Sequence, residues 1–296
     1  MKKFIILIPV YNDWDSVFKL LEHIDFQVDK WDAEISVLIV NDASTLKNTS
    51  NELNFKKLKS VRVINMKKNK GHARCNAAGL KFLIEKNDKF DHVIVMDGDG
   101  EDRPEELNLL FKKSKENPLK VVTANRTKRS EGLFFKTLYE CHKILTYIFT
   151  GKYVQFGNYS CLPKNEAEKL IKEACIWSSF SGSVIKLISN RTSISSVRGK
   201  RYTGPSKMNL FSLLIHSFSI IAVFKKLVLI RSVLFSLIYL FFIYNYLSFF
   251  TIFPLLAVFI FLLSIFKISS RENILELNKS LENIDSIQFL SNFNSR

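Results

Sequence analysis

The run from Leu227 to Phe266 is 40 residues long and carries a single formal charge, Arg231. A helix needs about 20 apolar residues to cross the hydrocarbon core of a bilayer, so the run fits two crossings. The segment "YNYLSFF" (244–250) offers the turn between them. A soluble helical core rarely sustains so many Leu, Ile and Phe without interruption. Lys225 and Lys226 precede the run, and Lys267 and Arg271 follow it. Cytoplasmic flanks are enriched in Lys and Arg, so both ends of the hairpin are expected in the cytoplasm.

The segment just ahead of the hairpin is different in kind. Met208–Phe224 ("MNLFSLLIHSFSIIAVF") is apolar but carries Asn209, His216 and three serines, and basic residues bracket it on both sides. That pattern suits a helix lying in the headgroup plane; a third crossing is the alternative. Beyond Phe266, Ile274, Leu277, Leu281 and Ile284 recur at helical spacing, which predicts a short amphipathic helix. At the other end, "MKKFIILIPVYND" begins like a signal peptide. Its apolar run covers only Phe4–Val10, however, and no small-residue cleavage site follows. A buried first strand accounts for it better.

The first half alternates short apolar runs with amphipathic stretches. The strand candidates are Phe4–Val10, Ile35–Val40, Val61–Met66, His92–Met96 and Val121–Ala124, and helical patterns fall near residues 15–25, 72–86 and 104–116. Continuous apolar strands alternating with helices predict an α/β fold, with a mostly parallel sheet covered by helices on both faces. Ligands bind such sheets beyond the carboxyl ends of the strands. Three informative stretches sit there: "PVYND" after the first strand, "NDAS" after the second and "DGDGED" after the fourth.

The third stretch belongs to "VIVMDGDGEDRPEEL" (93–107), which gathers Asp97, Asp99, Glu101, Asp102, Glu105 and Glu106 in a chain of formal net charge +15. Asp102-Arg103-Pro104-Glu105 reads as a helix start, with Asp102 as cap, Pro104 in the first turn and Glu105 completing a capping box. Asp97 and Asp99 leave an apolar strand as Asp-Gly-Asp, where Gly98 lets the backbone approach a ligand closely. Two carboxylates held together are costly unless a cation neutralises them. Mg2+ or Mn2+ suits such oxygen ligands and keeps positions open for phosphate oxygens.

The basic excess itself points to an acidic partner: nucleic acid, anionic lipid or a phosphorylated small molecule. Arg126/Arg129 and Arg198/Arg201 each set two guanidiniums three residues apart, and arginine suits bidentate phosphate contacts. Cys75, Cys141, Cys161 and Cys175 form no CxxC pair and read as reduced core thiols. His23, His72, His92, His142 and His216 show no metal-ligand spacing and read as packing or surface residues. The chain contains no internal repeat, and no GxGxxG follows the first strand, which disfavours a dinucleotide-binding dehydrogenase.

"ILIPVYND", "VLIVNDAS", "NKGHARCNAAG" and "VIVMDGDGEDRPEEL" occur in the order and spacing seen in family 2 glycosyltransferases of the GT-A fold, so residues 4–130 resemble that family. The downstream half is similar to the polyprenyl-phosphate glycosyltransferase branch, which includes dolichyl-phosphate mannosyltransferases. There "NRTKRSEGLFFKTLYE" is followed by a basic "VRGKRYTGPSKMNL", a juxtamembrane helix and membrane spans. The resemblance implies that Pro9, Tyr11, Asn12 and Asp42 line the pocket for the donor's base and ribose, and that Gly71 and Arg74 border the nucleotide or sugar. Asp97 and Asp99 would hold the metal on the donor diphosphate, beside Gly98. Arg126, Arg129, Arg198, Arg201, Ser206 and Lys207 would face phosphates of the acceptor lipid, the donor, or both.

One departure matters. Where relatives often carry an acid, "FGNYSCLPK" places Asn158, which cannot act as a general base. Either the acceptor is a phosphate monoester, already ionised at neutral pH and needing no base, or it is a sugar hydroxyl deprotonated by Glu101 or Asp102.

These readings divide the chain into a GT-A catalytic domain (1–206), an interfacial helix (207–226), a transmembrane hairpin (227–267) and a cytoplasmic tail (268–296). The function they imply is inverting, metal-dependent transfer of a sugar from a nucleotide diphosphate-sugar to a polyprenyl phosphate, at the cytoplasmic face of the cell membrane. The alternatives are a glycosyltransferase acting on a hydroxyl of a glycolipid or polysaccharide precursor, and a non-catalytic membrane adaptor of the same fold. Membrane lipid is an expected partner, nucleic acid is not, and a homo-oligomer is left open.

Overall fold

The computed structural model describes residues 1–46, 55–128, 133–204 and 210–292. Its centre is an eight-stranded sheet, ordered β7-β5-β6-β4-β1-β2-β3-β8. The strands are β1 (Lys2–Val10), β2 (Ala33–Asn41), β3 (Ser60–Met66), β4 (His92–Val95), β5 (Val121–Lys128), β6 (Ser160–Pro163), β7 (Arg191–Val197) and β8 (Ile284–Asn292). β1 runs parallel to β2 and β4, β2 to β3, and β5 to β7. β6 is antiparallel to both β4 and β5, and β8 is antiparallel to β3.

β1 is apolar without alternation because both of its faces are covered. Phe4, Ile6, Ile8 and Val10 belong to the core under α1 (Trp14–Gln27) and α3 (Leu107–Glu116), with Val17, Leu20, Leu21, Leu110 and Phe111. Ile5 and Leu7 belong to the core on the opposite face, under α2 (His72–Glu85), with Ala77, Leu80 and Leu83. Ordering this side-chain surface away from water is worth about 25 cal/mol per Å2 of apolar area. α4 (Leu133–Thr150), α5 (Lys164–Leu170) and α6 (Phe180–Leu187) follow in the chain, and then the apolar helices α7 (Leu210–Ala222), α8 (Lys225–Ile243) and α9 (Phe249–Ser269).

α8 and α9 are long and apolar enough to cross a membrane. Tyr244–Tyr246 turns between them, and Ser248 opens α9 with a reciprocal capping box to Thr251. Apolar side chains such as Phe241, Phe242, Phe249 and Phe250 stand exposed along the hairpin, as expected where lipid rather than protein covers them. α7 has 13 residues, a length of about 20 Å, short of the roughly 30 Å core of a bilayer. Arg231, the one charge in the run, donates from Nη1 to the carbonyls of Ile148 (2.9 Å) and Tyr147 (3.4 Å), so it satisfies the last turn of α4. Gly151 (φ +66°) clears the way, since a Cβ there would lie 2.6 Å from Arg231 Nη2.

The tail corrects an expectation. Helical spacing holds only through α10 (Ile274–Asn278), which buries Leu277. Ile284 then starts β8, which covers the otherwise unpaired edge of β3. Because β7 and β8 lie in one sheet, the chain between them would cross any membrane an even number of times. The thiols are free as expected, but Cys141 is exposed rather than in the core.

Candidate functional site

The carboxyl ends of β1 and β4 deliver Asp13 and the Asp97-Gly98-Asp99-Gly100 loop to one place. Gly98 is needed for packing: a Cβ there would sit 2.8 Å from Val17 Cγ2, so the loop lies directly on α1. Gly100 (φ +88°) faces the Tyr202 ring, where a Cβ would meet carbon at 2.7 Å.

Each carboxylate of the cluster has a partner. Asp97 Oδ1 accepts from Asn158 Nδ2 at 3.0 Å and lies 2.9 Å from His72 Nε2. Burial pushes the Asp97 carboxyl up, but His72, Arg126 and Asn158 outweigh it and hold the group below the usual carboxylate range. Asp99 Oδ2 accepts from Arg201 Nη1 at 2.5 Å, and its Oδ1 accepts from the Glu101 amide at 3.0 Å. Burial, then Asp97 and Glu101, still push Asp99 up to about 6. Glu101 is paired with Arg198. Asp102, 3% exposed, accepts from the Asp97 amide at 2.9 Å and from Arg126 Nη2 at 3.4 Å. Burial, then Asp97, push its carboxyl up to about 7.

The capping box expected at this helix start is absent. Arg103 is the cap of the turn Pro104–Glu106, with no side-chain capping bond. Asp102 serves the Asp97 backbone instead, and Glu106 reaches β7, accepting from Ser196 Oγ (2.6 Å) and the Val197 amide (2.9 Å).

The loop after β7 is strapped to the acidic loop by backbone bonds, Gly199 N to Glu101 O (2.8 Å) and Tyr202 N to Asp99 O (2.9 Å). This strap brings Arg198 and Arg201 into the cluster, where they meet carboxylates. Arg201 spans two of them, with Nη2 on Asp13 Oδ2 and Nη1 on Asp99 Oδ2, both at 2.5 Å. Among the described residues Asp13, Asp97, Asp99, Glu101 and Asp102 therefore face Arg126, Arg198 and Arg201, so carboxylates outnumber guanidiniums there. Among the described residues no three His, Cys, Asp or Glu side chains form a ready-made metal cage. Two hard oxygen donors and a surplus of negative charge instead fit a divalent ion shared with a bound diphosphate.

On the other side of β1, Asp42 is buried and accepts from the amides of Lys70 and Gly71, both at 2.8 Å. Asn12, at φ +53°, accepts from the amides of Thr45 (2.8 Å) and Leu46 (3.0 Å) and so locks the loop after β1 to the loop after β2. Pro9 is buried within β1 and Tyr11 is exposed beside it. Gly71 (φ +93°) begins α2, and Arg74 stacks on Trp177 at 5.6 Å and donates to Lys70 O at 3.1 Å. Arg129, Ser206 and Lys207 lie outside the described residues.

His72 and Asp13 were not among the expected site residues. His72 follows the glycine of "NKGHARCN" at the start of α2, and Asp13 closes "PVYND"; adjacency to those motifs was the available signal. His72 is thus neither a packing nor a remote surface residue, since its Nε2 lies 2.9 Å from Asp97 Oδ1.

Residues 5–175 match the family model described as glycosyl transferase family 2. The chain belongs to glycosyl transferase family 2. Within this family it is 27% identical over 164 residues to an undecaprenyl-phosphate 4-deoxy-4-formamido-L-arabinose transferase of Klebsiella pneumoniae subsp. pneumoniae. That alignment covers 55% of this chain and 48% of the relative, so the chain spans about half the length of the curated relative it matches. The family 2 chain also shares its fold with glucosyl-3-phosphoglycerate synthase from Mycobacterium tuberculosis. The complex of that enzyme with Mn2+, UDP and phosphoglyceric acid superposes with a TM-score of 0.55 at 13% identity, covering 77% of this chain and 78% of the other. Its complex with UDP gives 0.53 at 13% identity, covering 77% and 80%. The GT-A-like architecture expected from the motifs is therefore present.

Proposed function

We propose that the protein transfers a sugar from a nucleotide diphosphate-sugar to a polyprenyl phosphate at the face of a membrane. The observation that carries this reading is the carboxylate surplus at the ends of β1 and β4, faced by an arginine-bearing loop that leads towards α7 and the apolar hairpin. Family membership and the undecaprenyl-phosphate relative support it. So do fold neighbours with UDP and Mn2+ bound.

Under this reading Asp97 and Asp99 hold a divalent ion, Mg2+ or Mn2+, against the donor diphosphate. When bound, that ion offsets negative charge growing on the departing nucleoside diphosphate. Asp42 and Asn12 order the loops that border the base and ribose, with Pro9, Tyr11 and Gly71 along the same wall, and Arg74 lies at the nucleotide or sugar. Arg126, Arg198 and Arg201, with Arg129, Ser206 and Lys207, receive phosphate. A phosphate monoester has a second pKa near 6 and is already nucleophilic at neutral pH, so the chain needs only to position it in line with the anomeric carbon, inverting that centre. Asn158 orients by hydrogen bonding. A hydroxyl acceptor would need a base, for which Glu101 and Asp102, paired with Arg198 and Arg126, are the candidates. α8 and α9 cross the membrane, α7 lies in its headgroup plane, and the catalytic domain and tail share the cytoplasmic side.

The test is incubation of membranes carrying the protein with radiolabelled nucleotide-sugars and short polyprenyl phosphate. Metal-dependent label in the lipid fraction is expected. Label on a sugar hydroxyl with none on polyprenyl phosphate would overturn the reading.

A further inference from the structure

The resting cluster raises a physical question: what neutralises Asp99 before a cation arrives? Beside the Glu101 amide, its cationic partner is Arg201, with one nitrogen on Asp99 and the other on Asp13. Asp13 is itself fixed, accepting from Ser16 Oγ at 2.9 Å and from Thr203 Oγ1 at 3.2 Å. The loop backbone is pinned at Gly199 and Tyr202, so the guanidinium rather than the loop is the part able to move. A planar fork bridging two carboxylates is a geometry that arginine supplies and lysine does not.

We propose that Arg201 is a resident counter-ion occupying the cation's place on Asp99, and that a divalent ion binding there displaces it, pivoting on Asp13, towards phosphate. Loading of the donor side thereby readies the acceptor side. This rests on the metal-dependent reading above. The guanidinium carries one positive charge and a divalent ion two, so the ion competes for Asp99 on favourable terms. Asp99 is the least compensated of the two DGD carboxylates: Asp97 has both His72 and Asn158, which stay with it when Arg201 leaves. The freed nitrogen of a guanidinium still held by Asp13 remains charged and presents N–H groups suited to a phosphate oxygen.

The test is Mn2+ binding to the full-length protein in nanodiscs, read by electron paramagnetic resonance without nucleotide. Removing an internal competitor tightens the ion's binding, whereas removing a merely structural arginine weakens it or leaves it unchanged. Arg201→Gln is expected to bind Mn2+ roughly tenfold more tightly than wild type, the scale on which a neighbouring cation alters a carboxylate's affinity for a positive charge. Arg201→Lys, which keeps the charge but not the fork, is expected to gain less than the glutamine variant but measurably over wild type, and serves if the glutamine variant does not fold. Unchanged or weaker Mn2+ affinity in the variant that folds overturns the proposal. If wild type binds Mn2+ with UDP present while that variant shows no gain without it, the counter-ion idea alone fails. If no form binds Mn2+ even with UDP, the metal-dependent reading fails with it.

Discussion

The side-chain amide of Asn158 donates to Asp97 Oδ1 at 3.0 Å, and the same oxygen lies 2.9 Å from His72 Nε2. An aspartate at position 158 would replace that donor with a second carboxylate about 3 Å away, where like charges push one of the two pKa values up strongly. Asn158→Asp is therefore expected to lower turnover at pH 7 by roughly tenfold, one pKa unit of lost ionisation, with partial recovery at higher pH. A rise in kcat would show that the protein lacks a general base that this substitution supplies.

Asp99→Asn removes one of the two hard oxygen donors while keeping the shape of the loop. Transfer should fall by about 10^2 to 10^3, the usual scale for losing an electrostatic contact to developing charge. Residual turnover should no longer respond to chelation. Full activity of this variant in excess EDTA would refute the metal role.

The acidic cluster also makes stability depend on pH. Asp99 is pushed up to about 6 and Asp102 to about 7, both chiefly by burial and then by Asp97. An unfolded carboxylate titrates near 4, so between about pH 4 and 7 the folded protein binds more protons than the unfolded chain. The contribution of these two groups therefore declines as pH rises through that window. Asp97, held low, works in the opposite sense, and its contribution disappears only on strong acidification. In EDTA, Tm should drop by a few degrees between pH 5 and 8. Added Mn2+ should restore more at pH 8 than at pH 5, and Asp99→Asn should flatten the profile. A metal-free Tm that rises steadily to pH 8 would contradict this account.

Arg231→Leu would make the hairpin uniformly apolar, which favours insertion, yet it takes the 2.9 Å donor from the Ile148 carbonyl, while the Tyr147 carbonyl keeps the Gly151 amide. Leaving such a group unpaired costs about 1–3 kcal/mol. A lower Tm in detergent is expected, together with a higher KM for the lipid acceptor and little change in donor KM. Equal loss for both substrates would place the effect on the whole fold rather than on the α4–α8 junction.

The buried centre of the sheet was legible because a strand covered on both faces must be apolar throughout, as Phe4–Val10 and Ile35–Val40 are. β6 and β7 escaped notice for the opposite reason: "SCLP" is too short to show a period, and "RTSISSV" is polar because it forms an edge of the sheet. β8 was misread because Ile284 happens to continue the spacing of Ile274 and Leu277, although the need to cover β3 decides its conformation. The acidic cluster was equally visible, but its neutralisation was not. Arg126 and Arg201 come from 24 and 102 residues away in the chain, and only the fold brings them to Asp102 and Asp99.

β8 has a consequence for the order of assembly. It lies downstream of α8 and α9, so the ribosome must complete the hairpin before the sheet can receive its outermost strand. Until then β3 waits as an open template, prone to recruiting a strand from another molecule. Closure of the sheet is in this way timed by synthesis of the hairpin, and a chain that stops short of its tail carries an unfinished border that quality control can recognise.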